Sequence, residues 1–166
     1  MKSRMLWILL LAAIGAAAVG GKVLATPGSG FGGNTLAKAT FGEIDSHVLA
    51  EPGWQEKIKT QGLSDLYVQE NTWQPGGTTG WHAHPGPSFV IVTEGSVTVY
   101  DGDDPACTPH VYTAGTASNA FIDPGGAHVH VIRNETDAEA KTVAVQLVPT
   151  GAMRRQDADD PGNCSF

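Results

Sequence analysis

From Leu66 to Leu147 the chain is cut into short segments by Gly, Pro and Asp, and the segments are rich in β-branched and aromatic residues. That punctuation leaves little room for helices and favours many short strands. Strands are expected at residues 66–73, 79–84, 88–93, 96–100, 110–112, 120–122, 128–133 and 142–147. The turns between them include Gln74-Pro75-Gly76-Gly77, Glu94-Gly95, Asp101-Gly102 and Asp123-Pro124-Gly125-Gly126. Gly76, Gly77, Gly95, Gly125 and Gly126 are expected to take positive φ there. Eight short strands at near-regular spacing describe an all-β sandwich or barrel. Phe89, Ile91, Val97, Val99, Phe121 and Val145 read as its core, with Trp73 and Trp81 packed in its wall.

The flanks read differently. Lys2 and Arg4, the uncharged apolar run from Met5 to Val19, and Val23-Leu24-Ala25 form the three parts of a secretory leader cleaved after Ala25. The alternative is an uncleaved anchor, for which the run is short of the roughly 20 apolar residues that span a bilayer. Residues 26–60 read as a Gly/Pro/Ser-rich linker (26–34), an arm that can hold a strand (35–45), and a single helical turn near 52–60. Residues 61–150 form the barrel, and 151–166 a polar, irregular tail with Arg154 and Arg155 exposed.

Cleavage would remove Lys2, Arg4 and Lys22 and no acid, leaving 7 basic against 17 acidic residues, a charge of −10. Such a domain lacks the clustered cations that nucleic acid or an anionic membrane surface requires. No second apolar span follows the leader, so no membrane association is expected after cleavage. Cys107 and Cys164 are the only cysteines. In an exported chain an even pair reads as a disulfide, here tying the tail to the loop around Asp104-Pro105-Ala106.

The chemistry lies in a repeated His-x-His: His82-Ala83-His84 and His128-Val129-His130. On a strand, residues i and i+2 face the same side, so each pair can aim two imidazoles at one point. Two such pairs on neighbouring strands would converge inside a barrel on an ion suited to imidazole, namely Zn, Cu, Fe or Ni. His47 and His110 stand alone and read as ordinary polar positions.

Gly80-Trp81-His82-Ala83-His84-Pro85-Gly86-Pro87-Ser88 with Gly95 resembles the first motif of the cupins, and Pro124-Gly125-Gly126 with His130 and Asn134 resembles the second. The resemblance spans roughly residues 66–147 and is nearest to small exported bacterial cupins. It implies a jelly-roll β-barrel and one divalent transition metal (Fe, Mn, Zn, Ni or Cu) on His82, His84 and His130. His128 is the alternative third ligand, or a fourth. Ser88 stands where the family carries a glutamate ligand, so the usual anionic ligand is missing. Gln146, mid-strand among apolar residues, faces either the cavity or solvent, and Asn134 reads as a turn residue that satisfies backbone groups. Cupins often dimerise by strand exchange, for which the 35–45 arm is the candidate.

Three function classes follow. One is a metal-dependent dioxygenase acting on a small organic molecule; no general base stands near the motifs, which favours redox over acid–base chemistry. Another is a non-catalytic barrel that captures a metal or a small molecule outside the membrane. The last is a barrel that keeps its histidines without metal. One scaffold hosts many chemistries, so the fold alone does not choose among them.

Overall fold

The computed structural model describes residues 26–166; the expected leader and its cleavage position lie outside the described residues. The strands, in chain order, are β1 (Ser29–Phe41), β2 (Asp45–Leu49), β3 (Gln55–Lys59), β4 (Ser64–Thr78), β5 (His82–Ala83), β6 (Ser88–Glu94), β7 (Ser96–Asp101), β8 (His110–Thr113), β9 (Ala120–Asp123), β10 (His130–Arg133), β11 (Ala140–Pro149) and β12 (Gln156–Asp157). Among the described residues no helix forms. Each of the eight expected strands has a counterpart. The histidine-bearing ones are trimmed: His84 falls just past β5, and His128 lies in the loop before β10.

All pairings are antiparallel, and together they make a nearly closed jelly-roll barrel. One wall runs β1–β4–β11–β6–β9 and the other β8–β7–β10–β5–β12. The walls join where β10 meets the end of β4, Arg133 opposite Thr78. β2 and β3 form a separate hairpin.

Two expectations about the flanks and one about a barrel turn need correction. Ser29–Asn34, read as linker, belongs to β1, which pairs along β4 from Ser29 opposite Thr78 to Phe41 opposite Ser64. Glycine-rich composition signals flexibility only where no edge is offered, and β4 offers its whole length. The helical turn near 52–60 is instead strand β3, held by β2. Gly77 differs from the other four turn glycines, whose φ values are +72° (Gly76), +67° (Gly95), +74° (Gly125) and +70° (Gly126). Its φ is not positive, and a Cβ there would overlap the Gly30 carbonyl of β1, so the position needs smallness rather than conformational freedom.

The core divides in two. Trp73, Val92, Val97, Val99, Ile132 and Ala140 pack inside the barrel, with Phe31 and Phe121 against them. Trp81, Tyr100 and Val131 form a second cluster on the other face of the β5–β10–β7 wall, covered by Val129, Ala158 and the cysteines. Phe89 and Ile91 were expected in the core, yet they face outward at 48% and 47% exposure, and Ser88, Val90 and Val92 face in. Both alternating sets of β6 are largely apolar, so periodicity does not set the phase. Asn134 is fully buried at the β10–β11 turn. Its amide donates to the carbonyls of Trp73, Gln74 and Ala138, and its oxygen accepts from the Thr136 amide and hydroxyl. The side chain thereby staples that turn to β4.

The tail is built into the barrel. Cys164 is bonded to Cys107, Phe166 stacks on Trp81 with ring centroids 6.3 Å apart, and Arg133 lies 4.0 Å from the Phe166 centroid. Before them in the chain, β12 pairs with β5, Asp157 opposite His82. The disulfide closes a loop of 57 residues, a length for which chain entropy gives a stabilisation of about 4 kcal/mol. A Cys107→Ser/Cys164→Ser variant should therefore unfold at lower urea, with unfolding free energy reduced by up to about 4 kcal/mol. An unchanged urea midpoint would refute the constraint.

Candidate metal centre

Three imidazoles meet on the inner face of the wall made by β5 and β10. His82 lies directly opposite His130, and residues opposite one another on antiparallel strands share a face. His84 is two residues on from His82, so the extended chain returns its ring to the same side. One nitrogen from each of the three lies within 4.8 Å of the others. The ring centroids are separated by 4.8 Å (His82–His84), 4.4 Å (His82–His130) and 5.5 Å (His84–His130).

Backbone carbonyls set the tautomers of two rings. His82 Nδ1 donates to Gly80 O at 2.9 Å, and His84 Nδ1 donates to Arg154 O at 2.6 Å. Each ring therefore keeps its Nε2 lone pair for another partner. Gln146 Nε2 comes within 2.9 Å of the same His84 Nδ1. Since that nitrogen already carries the proton given to Arg154 O, the Gln146 amide is left to donate to Ser88 Oγ (3.3 Å) and Arg154 O (3.3 Å).

Burial keeps these rings uncharged. It holds the His82 pKa down to about 2, helped by the positive potential of His130, Arg155 and His84 and opposed by the Gly80 bond. His130 is lowered to about 4, again mainly by burial, with Asp123 pulling the other way. His84 is lowered by burial against the Arg154 carbonyl and Asp123. Neutral imidazoles with free Nε2 atoms are what a divalent transition metal requires, so the donor set fits such an ion.

The histidines line a cavity of about 300 Å³. Its apolar side is Phe31, Trp73, Val90 and Ile132; its polar side carries Gln69, Asn71, Ser88, Gln146, Arg154 and Arg155. Ser88 and Gln146 are both buried there, the cavity-facing alternative for Gln146. His128 stands apart from His82 and His84, 3.3 Å from Asp101 and 3.3 Å from Asp123, and with Asp123 and His130 it makes a second group whose ligand atoms lie within 4.8 Å of one another. His110 sits 3.8 Å from Asp101, and His47 is exposed on β2.

A His-x-His strand facing a third histidine inside a jelly roll accords with the match of the Cupin domain family model to residues 70–146. The chain is a cupin-domain protein. The cupin's relatives among solved structures are distant. Oxalate oxidase in complex with glycolate is 24% identical over 51% of this chain and 45% of its own, with a TM-score of 0.42. The polyketide cyclase RemF from Streptomyces resistomycificus is 19% identical over 58% and 64%, with a TM-score of 0.46. A cupin domain from Bordetella pertussis Tohama I is 21% identical over 64% and 93%, with a TM-score of 0.40. This chain spans less than half the length of the oxalate oxidase it matches. No curated protein matches it.

Three charged residues of the cupin's cavity were missed in the sequence. Arg154 and Arg155, expected to be exposed, are half-buried and line it. Arg154 Nε donates to Gln146 Oε1 at 3.0 Å, and its guanidinium lies over Tyr67 at 4.0 Å. Arg155 Nη2 donates to Thr79 O at 2.7 Å, while its Nε bonds Asp157. A polar tail carries no local signal for this; the disulfide and β12 bring it to the barrel mouth. The third is Asp123, which local sequence marks only as the start of the Asp-Pro-Gly-Gly turn.

The buried histidines give the metal-free protein a distinctive pH dependence. His82 and His130 bind protons in the folded state only well below 6.5, where the unfolded chain already binds them. Stability is therefore full above about pH 6.5 and falls on acidification, by about 1.4 kcal/mol per pH unit for each histidine. The fall from His130 ends near pH 4, and that from His82 lower still. Urea unfolding of chelator-treated protein between pH 7.5 and 5 should show this slope, and His130→Gln should make it shallower by up to about 1.4 kcal/mol per pH unit. A flat profile would mean the rings are not buried neutral.

Proposed function

We propose that this cupin is an exported protein that binds one divalent transition metal on His82, His84 and His130, and that it acts as a metal-dependent dioxygenase on a small organic molecule held in the barrel. The observation that carries the reading is the convergence of the three imidazoles on one wall of a cavity of small-molecule size. A metal held there supplies Lewis acidity and, if redox-active, the electrons for chemistry with O₂.

The remaining roles belong to the chain. Phe31, Trp73, Val90 and Ile132 give the substrate an apolar bed and exclude water. Gln146 is tied to Ser88 and Arg154, so its amide is oriented before any substrate arrives. The guanidinium groups of Arg154 and Arg155 at the mouth favour an oxygen-rich or anionic substrate. Export is supported by the disulfide, which persists in oxidising compartments.

Mature protein purified without chelator or affinity tag should contain close to one metal ion per chain by plasma mass spectrometry, and a His82→Ala/His84→Ala variant close to none. Metal-loaded protein should then consume O₂ with at least one member of a panel of small organic acids. Equal, negligible metal in parent and variant would refute the metal reading. Bound metal with no oxygen uptake across the panel would favour capture over turnover.

A further inference from the structure

Resting on that metal reading, we propose that Asp123 supplies the centre's anionic ligand, delivered from β9 instead of from β6. The cupin motif places a carboxylate where this chain has Ser88. β6 and β9 pair in a register that sets Ser88 directly opposite Asp123. Directly opposed residues share a face with Cβ atoms about 4.5–5.5 Å apart, and both side chains line the histidine cavity. The carboxylate absent from one strand is present on its neighbour at the same height.

Asp123 is also in a condition that calls for a cation. It is 4% exposed. Its Oδ1 accepts the Gly125 N–H at 3.0 Å and faces His128 Nδ1 at 3.3 Å. Its Oδ2 is buried with no hydrogen-bond partner among the described residues, and no Lys or Arg there lies within 4 Å of it. A buried carboxylate without a counter-charge is strongly unfavourable. His84 and His130, the ligands beside it, can ligate only while neutral and so cannot provide that charge; the other imidazole near it, His128, faces Oδ1 and leaves Oδ2 without a partner among the described residues.

The distances agree with a shared ion. Asp123 Oδ2 lies 3.8 Å from His84 Nε2, the nitrogen that the Arg154 carbonyl leaves free. That is too long for a hydrogen bond. Two donors bound at about 2.1 Å to one tetrahedral ion sit roughly 3.4 Å apart, so a small rotation of Asp123 completes the set. His130 Nδ1, 3.7 Å from Asp123 Oδ1, is likewise without a hydrogen bond among the described residues. His128 then holds the carboxylate from behind, bridging Asp123 and Asp101.

The test uses Co(II) as the probe, added to metal-free protein and followed by its visible absorption and by chelator competition. D123N should weaken Co(II) by about 100-fold or more, beyond the 10–100-fold typical of removing a group behind a ligand. S88E combined with D123N, which returns the carboxylate to β6, should recover most of that loss. S88E alone should add little, because the position is already filled. Near-UV circular dichroism checks folding, and D123S replaces D123N if the amide variant does not fold. Parent-like affinity and spectrum in D123N would overturn the assignment. So would S88E strengthening binding equally with and without Asp123, or a second Co(II) per chain that alone is lost in D123N. If H82A/H84A binds Co(II) as tightly as the parent, the three-histidine reading fails instead, and the two failures are told apart.

Discussion

The barrel depends on β10, a strand of only four residues that pairs with three others. It meets β7 along its length, β5 at His130–His82, and the end of β4 at Arg133–Thr78. The last contact joins the two walls, and the second places two imidazoles face to face. Because such short strands give few ladder bonds, the junction relies on buried side chains to hold it. Thr79 Oγ1 accepts the Ile132 N–H at 2.9 Å, and Asn134 ties the following turn to β4 through the carbonyls of Trp73 and Gln74.

The site is expensive to bury and well supported. His82, Ser88, Asp123, His130 and Gln146 are all buried, and groups of this kind destabilise a fold unless each finds a partner. Most do. The two that lack one, His130 Nδ1 and Asp123 Oδ2, stand beside the cavity that holds the candidate centre. Unsatisfied buried groups beside a cavity are positions that an added ligand would satisfy. The tail completes the support, since β12 braces the His82 strand while the Arg154 carbonyl orients His84.

Legibility in the sequence followed how local each signal was. The strands, the turns and the first His-x-His pair are readable because period-2 patterning and Gly/Pro punctuation are short-range. The disulfide was readable from cysteine count and inferred compartment. The phase of β6 was not, because both of its faces are largely apolar and its partners decide which one turns inward. β1 was hidden because its Gly-rich composition looks like linker until β4 is there to pair with. Spacing to Asn134 favours His130 over His128 as a ligand, and the pairing of His130 with His82 places its ring beside those of His82 and His84.

The sequence by itself determined an all-β cupin barrel with two cysteines in reach of a bridge and histidines at strand spacing, because these follow from residue type and interval. Tertiary structure alone decided that the tail arginines line the cavity and that Asp123 stands across from Ser88. Those facts come from strand register and long-range closure, which bring together residues tens of positions apart, and no local pattern encodes that distance.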